Sequence, residues 1–189
     1  RKIKSREFTT MTDYLVSLGL ELSIKINSEV PIARVAQLTQ KTNQFNLTTK
    51  RYAESDIRAM VEDRNFDVYS FELKDRFGEY GTTGVAIIRM DDKDECDTAT
   101  IDSFLISCRV IGRDVEYQFF SEIIKNLKAS KVSRLFGNYS RTLKNDQVSD
   151  FYDVLTFDVT SSDERETSYC LNLDGFIAKD IPHISLIGR

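Results

Sequence analysis

The sequence predicts a single α/β (α+β) domain, a mixed central sheet with helices on both faces, and three observations predict it. Hydrophobic residues switch repeatedly between the period of two of a half-buried strand and the 3.6 period of an amphipathic helix. Three strand-like stretches follow one another across short polar gaps, which antiparallel hairpins join most simply. Strands also alternate with helices along the chain, an order that allows parallel crossovers.

The elements follow in order. Leu20, Leu22, Ile24 and Ile26 alternate with Glu21, Ser23, Lys25 and Asn27, a first strand. Pro31 suits the first turn of a helix, where a missing N–H costs nothing, and Ile32, Val35, Ala36 and Thr39 continue it. Ile57, Met60 and Val61 mark a second, short helix. Strand patterns cover 68–74, 84–89 and 99–109, separated by a gap holding Gly78 and Gly81 and by the acidic run 91–97. After Gly112, the residues Val115, Phe119, Phe120, Ile123, Ile124 and Leu127 form one face of a long helix. A strand over 132–139, a helix through Val148, Phe151, Tyr152 and Leu155, and a strand over 168–173 complete the pattern.

With 189 residues, 41% of them hydrophobic, the chain can bury one substantial core, and no Ser/Gly/Pro-rich linker divides it. Charged residues make up 30% but the net charge is only −4, so no basic stripe for nucleic acid is expected. Cys96, Cys108 and Cys170 are odd in number and irregularly spaced, which reads as free thiols in a reducing compartment. Apolar runs fall far short of the roughly 20 residues that cross a bilayer. A cytoplasmic protein with no membrane or nucleic-acid partner is the expectation. No His/Cys/carboxylate cluster has ligand spacing, so no metal is expected either. The chain opens on Arg1 rather than methionine. Residues 1–18 are therefore expected to be a tail from an upstream domain, and 19–189 the domain itself.

Two segments carry a resemblance. Arg109-Val110-Ile111-Gly112-Arg113-Asp114 lies at a strand-to-helix junction, and Asn145, Phe151, Tyr152 and Phe157 recur in order over 145–157. In this element order they resemble the GNAT acetyltransferases, whose [RQ]-x-x-G-x-[GA] loop holds the coenzyme A pyrophosphate on helix-start N–H groups. The resemblance implies a GNAT-like acyl-CoA N-acyltransferase fold. It also implies cofactor contacts at Arg109, Val110, Ile111, Gly112, Arg113, Asp114 and Asn145, with the pantetheine arm between the strand before Arg109 and the strand from Val132. Tyr152 inherits the acid that protonates the departing thiolate; packing on the sheet is its plain alternative. Asp114 departs from the family's Gly or Ala, and its carboxylate would repel phosphate.

A narrower likeness rests on 37–52 (Gln37 through Lys41-Thr42-Asn43-Gln44-Phe45-Asn46-Leu47-Thr48-Thr49 to Tyr52), on Asp75-Arg76-Phe77-Gly78-Glu79-Tyr80-Gly81 and on Ser107-Cys108-Arg109. These segments, the last running on through Val110-Ile111-Gly112-Arg113, look like the FkbH-like proteins. That resemblance implies a two-part enzyme with an upstream HAD-type domain, loading a glyceryl-type acyl group onto an acyl carrier protein toward methoxymalonyl extender units. Coenzyme A or carrier-borne phosphopantetheine is the implied cofactor. A non-catalytic carrier-docking module and a small-molecule N-acetyltransferase are the rival readings.

Cys108, beside Arg109 and before a helix start, reads as an acyl-receiving thiolate or as a small buried residue. Asn43, Gln44 and Asn46 offer amides to a polyhydroxylated acyl group or a pantetheine arm, or else cap the helix locally. Arg76 and Arg113 can grip phosphate bidentately, with a surface ion pair as the alternative for Arg76. His183, the only histidine, reads as a structural residue or as a partner of Cys108.

Overall fold

The computed structural model describes residues 10–91 and 97–188. In chain order its elements are α1 (Met11–Leu18), β1 (Leu20–Ile26), α2 (Ile32–Lys41), β2 (Phe45–Asn46), α3 (Glu54–Glu62), β3 (Phe66–Asp75), β4 (Gly78–Met90) and β5 (Thr98–Ile106). There follow α4 (Val115–Ala129), β6 (Arg134–Ser140), α5 (Phe151–Val154), β7 (Asp158–Ser162), β8 (Glu166–Asn172) and β9 (Ile184–Ile187). The strands form one mixed sheet in the order β7-β8-β6-β5-β4-β3-β1-β9, with β2 attached to β5.

The central hairpins are antiparallel, as the short gaps predict: β3 pairs with β4 and β4 with β5. The β5–α4–β6 crossover is parallel. Alternation along β4 divides the core. Val85 and Ile87 join Val35, Ala36, Leu38 and Ile57 of α2 and α3 on one face. Ala86 and Ile88 join Phe119, Phe120, Ile123 and Leu127 of α4 on the other. Helices thus cover both faces, and the central strands are buried on both sides. Among the described residues no helix is long and apolar enough to cross a membrane.

The structure differs from the sequence expectation in four places. Residues 11–18, expected to be linker, form helix α1, which Thr10 caps and which buries Leu15 and Leu18 in the larger core. The third strand stops at Ile106, and Cys108–Val110 make a 3-10 turn rather than more strand. The helix expected through Leu155 is a 3-10 turn, Asp146–Val148, followed by the four residues of α5. Strands β2, β7 and β9 have no alternating signal: β7 is exposed at every position, and β2 is two residues long. Cys96 and most of the acidic run 91–97 lie outside the described residues.

Candidate functional site

The site is built around a fork in the sheet. β5 and β6 pair only from Thr98–Arg134 to Ile101–Gly137. Beyond that the two strands separate, and β2 fills the gap. Phe45 and Asn46 pair with Ile106 and Leu105 of β5. The Leu47 N–H donates to the Phe104 carbonyl at 3.1 Å, and the Ser140 N–H of β6 donates to the Leu47 carbonyl at 2.8 Å. Phe45 and Leu47 are buried, each worth about 1.5–3 kcal/mol of hydrophobic stabilisation. The cleft expected to hold a pantetheine arm is therefore occupied by the chain's own backbone.

The amide-rich stretch fastens this insert. Asn145 is fully buried; its Nδ2 donates to the Asn46 and Ser140 carbonyls, both at 2.9 Å, and its Oδ1 accepts from the Thr142 N–H at 2.8 Å. Asn46 is also buried, donating to the Thr42 carbonyl and accepting from the Thr49 N–H. Neither amide has room for a ligand, so Asn145 is not a cofactor contact and Asn46 is not a substrate contact. Arg51 caps the end of α2 at the Thr39 and Thr42 carbonyls and reaches Asn43 Oδ1 at 2.6 Å. Much of the 37–52 stretch is thus scaffold.

Other expected site residues are corrected by their surroundings. Tyr152 is fully buried against Phe157, Tyr169 and Gly137, where a Cβ would lie 2.6 Å from the tyrosine ring. Burial pushes its hydroxyl far above the usual tyrosine range, so it cannot serve as an exposed acid. Arg113 is committed to Asp75 Oδ2 and to the Tyr80 hydroxyl, each at 3.0 Å, and stacks on the Tyr80 ring. Burial alone would raise the Asp75 carboxyl; hydrogen bonds from Tyr80, the Phe77 N–H and Arg113 outweigh it and hold the group low. This pair pins the loop after β5 to the β3–β4 hairpin. Arg76 lies at that hairpin's exposed turn, donating to the Ser17 carbonyl and stacking on Phe77, away from the fork. His183 is 3.1 Å from the Arg113 carbonyl and 3.6 Å from Asp114 Oδ2; it faces the start of α4 and lines no pocket with Cys108. Val110 is buried in the core and can offer only its backbone.

Two cavities flank β2. The larger, about 870 Å³, opens on the α2 side and is lined by Arg34, Lys41, Asn43, Gln44, Cys108, Arg109 and Lys144 among others. No Asp or Glu lines it among the described residues. Cys108 is exposed here, not buried. Arg34 donates to the Thr82 carbonyl and to Gln37, and Arg109 to the Tyr80 carbonyl. Partial burial and then the charge of Arg109 lower the Arg34 guanidinium. Arg34, Lys41 and Lys144 escape a reading of the sequence because they come from separate segments with no shared spacing.

The smaller cavity, about 140 Å³, lies on the α4 side and is lined by Phe45, Ile111, Gly112, Glu116, Tyr117, Asp150 and Phe151 among others. The loop before α4 keeps half of an anion cradle. Gly112 and Asp114 adopt left-handed backbone, and among the described residues no hydrogen bond engages the N–H groups of 111–114. The side chains oppose the backbone. Asp114, Glu116 and Asp150 surround Tyr117, and all three carboxylates raise its hydroxyl further after burial has done so. A pyrophosphate would meet these charges within a few ångströms, and an arm crossing the fork would meet β2. The residues present do not fit coenzyme A laid through the fork.

No protein-family model matches this chain, and no match was found among curated proteins. Solved structures do match in fold. A protein of Desulfovibrio desulfuricans assigned to the GNAT acetyltransferase family superposes with a TM-score of 0.62 at 11% identity, covering 80% of this chain and 99% of that one. The ribosomal-protein-S18-alanine N-acetyltransferase of Escherichia coli gives 0.57 at 14%, covering 79% and 94%. The PaiA N-acetyltransferase of Thermoplasma acidophilum, solved in complex with coenzyme A, gives 0.52 at 13%, covering 79% and 98%. At such identities the likeness concerns architecture: the chain has the GNAT fold.

Proposed function

We propose that this chain is the GNAT-fold part of an FkbH-like acyltransferase, which receives a carrier-borne phosphopantetheine arm in the basic cavity beside α2. One observation carries the reading: four cationic side chains and an exposed thiol share a cavity that no carboxylate lines among the described residues. A carrier-borne arm bears a single phosphodiester, which Arg34, Lys41, Arg109 and Lys144 would neutralise at the mouth. Asn43 and Gln44 would hydrogen-bond the arm's amides or a hydroxylated acyl group, since each amide both donates and accepts.

Cys108 then exchanges the acyl group with the arm. The carrier thiolate attacks the acyl carbonyl on Cys108, the bond to the Cys108 sulfur breaks, and the new thioester forms on the arm. The leaving Cys108 thiolate sits beside Arg109. An acyl group of glyceryl type, an acyl carrier protein as partner and an upstream HAD-type domain as the source follow from the FkbH-like motifs.

Thioester exchange is close to balanced, so it can be followed in reverse with this chain. Incubation with an acyl-loaded carrier should add the acyl mass to the chain at Cys108, and Cys108→Ala should abolish the adduct. Absence of both adduct and carrier binding would remove the proposal. Carrier binding without transfer would favour the docking-module reading, which the filled fork supports. An N-acetyltransferase, the name two of the fold neighbours carry, would require β2 to leave the fork for coenzyme A to cross it.

A further inference from the structure

We propose that the small cavity at the start of α4 is a binding site for a small organic cation, a protonated primary amine carrying a short alkyl chain. Glu116 lines it with only 8% of its surface exposed, and its Oε2 has no hydrogen-bond partner. A buried carboxylate oxygen without a donor is costly, and it is the feature that asks for a ligand.

The surrounding charges select the ligand's sign. Glu116 and Asp150 line the cavity, and their charges act on Tyr117 together with that of Asp114 at the start of α4. Lys179 lies beside them, 3.0 Å from Asp114 Oδ1 and 4.1 Å from the Tyr117 ring centre; its charge reaches Glu116, but its hydrogen bond goes to Asp114. His183 also lies 3.6 Å from Asp114. The positive end of α4 opposes a cation with about half a charge, less than the carboxylates supply together. Lys179 marks the kind of group the site accepts: an ammonium between a carboxylate and an aromatic face.

The walls select the rest of the molecule. Phe45, Ile111, Val148 and Phe151 are apolar, and the Tyr117 and Phe151 rings stack at 6.0 Å. A cavity of about 140 Å³ has room for a small molecule of a few heavy atoms, such as a butylammonium ion. Among the described residues no group of three or more His, Cys, Asp or Glu is placed to hold a metal ion. An organic cation fits the mixed lining better than a bare one.

The test is a calorimetric and thermal-shift titration of the chain with butylammonium and, at equal concentration, with neutral butanol. Butylammonium should bind and raise the melting temperature, and butanol should do neither. Glu116→Gln should weaken amine binding at least tenfold. Asp150→Asn, at an exposed position that leaves folding intact, should weaken it severalfold, and Lys179→Met should tighten it by removing the built-in competitor. Absence of binding, an equal response to butanol, or unchanged affinity in both Glu116→Gln and Asp150→Asn would overturn the proposal. Should Glu116→Gln fail to fold, the Asp150→Asn result and the butanol control decide it.

Discussion

Two cavities of opposite charge stand on either side of a two-residue strand, and the contrast between them shows how burial decides what a charge cluster does. The basic cavity beside α2 is wide and open, with Lys41 and Lys144 exposed, so water and salt screen its like charges. The acidic cavity beside α4 is small, and Glu116 is almost fully buried. There burial first, and then the charge of Asp114, push the Glu116 carboxyl up to about 7, against its own backbone N–H and the charge of Lys179, which oppose the shift. The exposed lysines are free to meet an anionic partner, while the buried Glu116 carboxylate is under strain until a cation or proton arrives.

The largest expected effect comes from removing the wall between them. Phe45 is buried against Phe104 and Phe151, at ring separations of 6.1 and 5.4 Å, and lines the acidic cavity. Phe45→Ala should cost about 3–5 kcal/mol in urea unfolding, as aromatic deletions in a core do. It should also let the two cavities communicate, so that anion binding on the α2 side becomes sensitive to Glu116. A cost below about 1 kcal/mol, the ordinary size of a mild substitution, would mean that β2 is loosely seated and the fork can open.

Glu116 comes next, and its effect has the opposite sign. Its folded pKa lies above the ordinary glutamate value, so the folded chain binds more protons than the unfolded one between about pH 4.5 and 7. Stability therefore falls as pH rises through that window and stays low above it. Glu116→Gln should remove this slope and stabilise the chain at pH 8 by about 3 kcal/mol, since each tenfold change in proton affinity is worth roughly 1.4 kcal/mol. Chemical denaturation at pH 5 and pH 8 reads it directly. If wild type and variant show the same pH dependence, Glu116 is not the titrating group.

Most of the architecture is legible in sequence because it rests on burial periodicity. The alternation of Leu20 through Ile26, the apolar face from Val115 to Leu127 and the glycine-marked hairpin all become the elements they predict. Helix α1 is the exception within reach of a pattern, because Leu15 and Leu18 are spaced to share one helical face and pack into the core. The fork's contents are not legible. β2 is held by pairing with Ile106 and Leu105, and by Asn145 from 99 residues along the chain, so no local pattern announces it. Cys108, Arg109, Asn43 and Gln44 stand out by family likeness and do converge on one cavity. Glu116 looks in sequence like a polar position on an amphipathic helix. It is buried and shares a cavity with Phe45, Val148 and Phe151 from distant segments, which is a tertiary fact.

The smallest stability effect belongs to the basic cavity and completes the contrast. Lys41 and Lys144 are exposed and line a space without acids among the described residues, so replacing either by Gln should leave stability within about 0.5 kcal/mol of wild type. Binding should respond far more than folding. Each substitution should weaken phosphopantetheine binding severalfold at low salt, with a smaller loss at high salt, because counter-ions already screen exposed charges there. The salt dependence separates the two sides of β2: butylammonium binding at the buried Glu116 should weaken less with salt than phosphopantetheine binding at the exposed lysines. Equal salt sensitivity for both would mean that burial does not distinguish the cavities, and the division of labour drawn from them would fall.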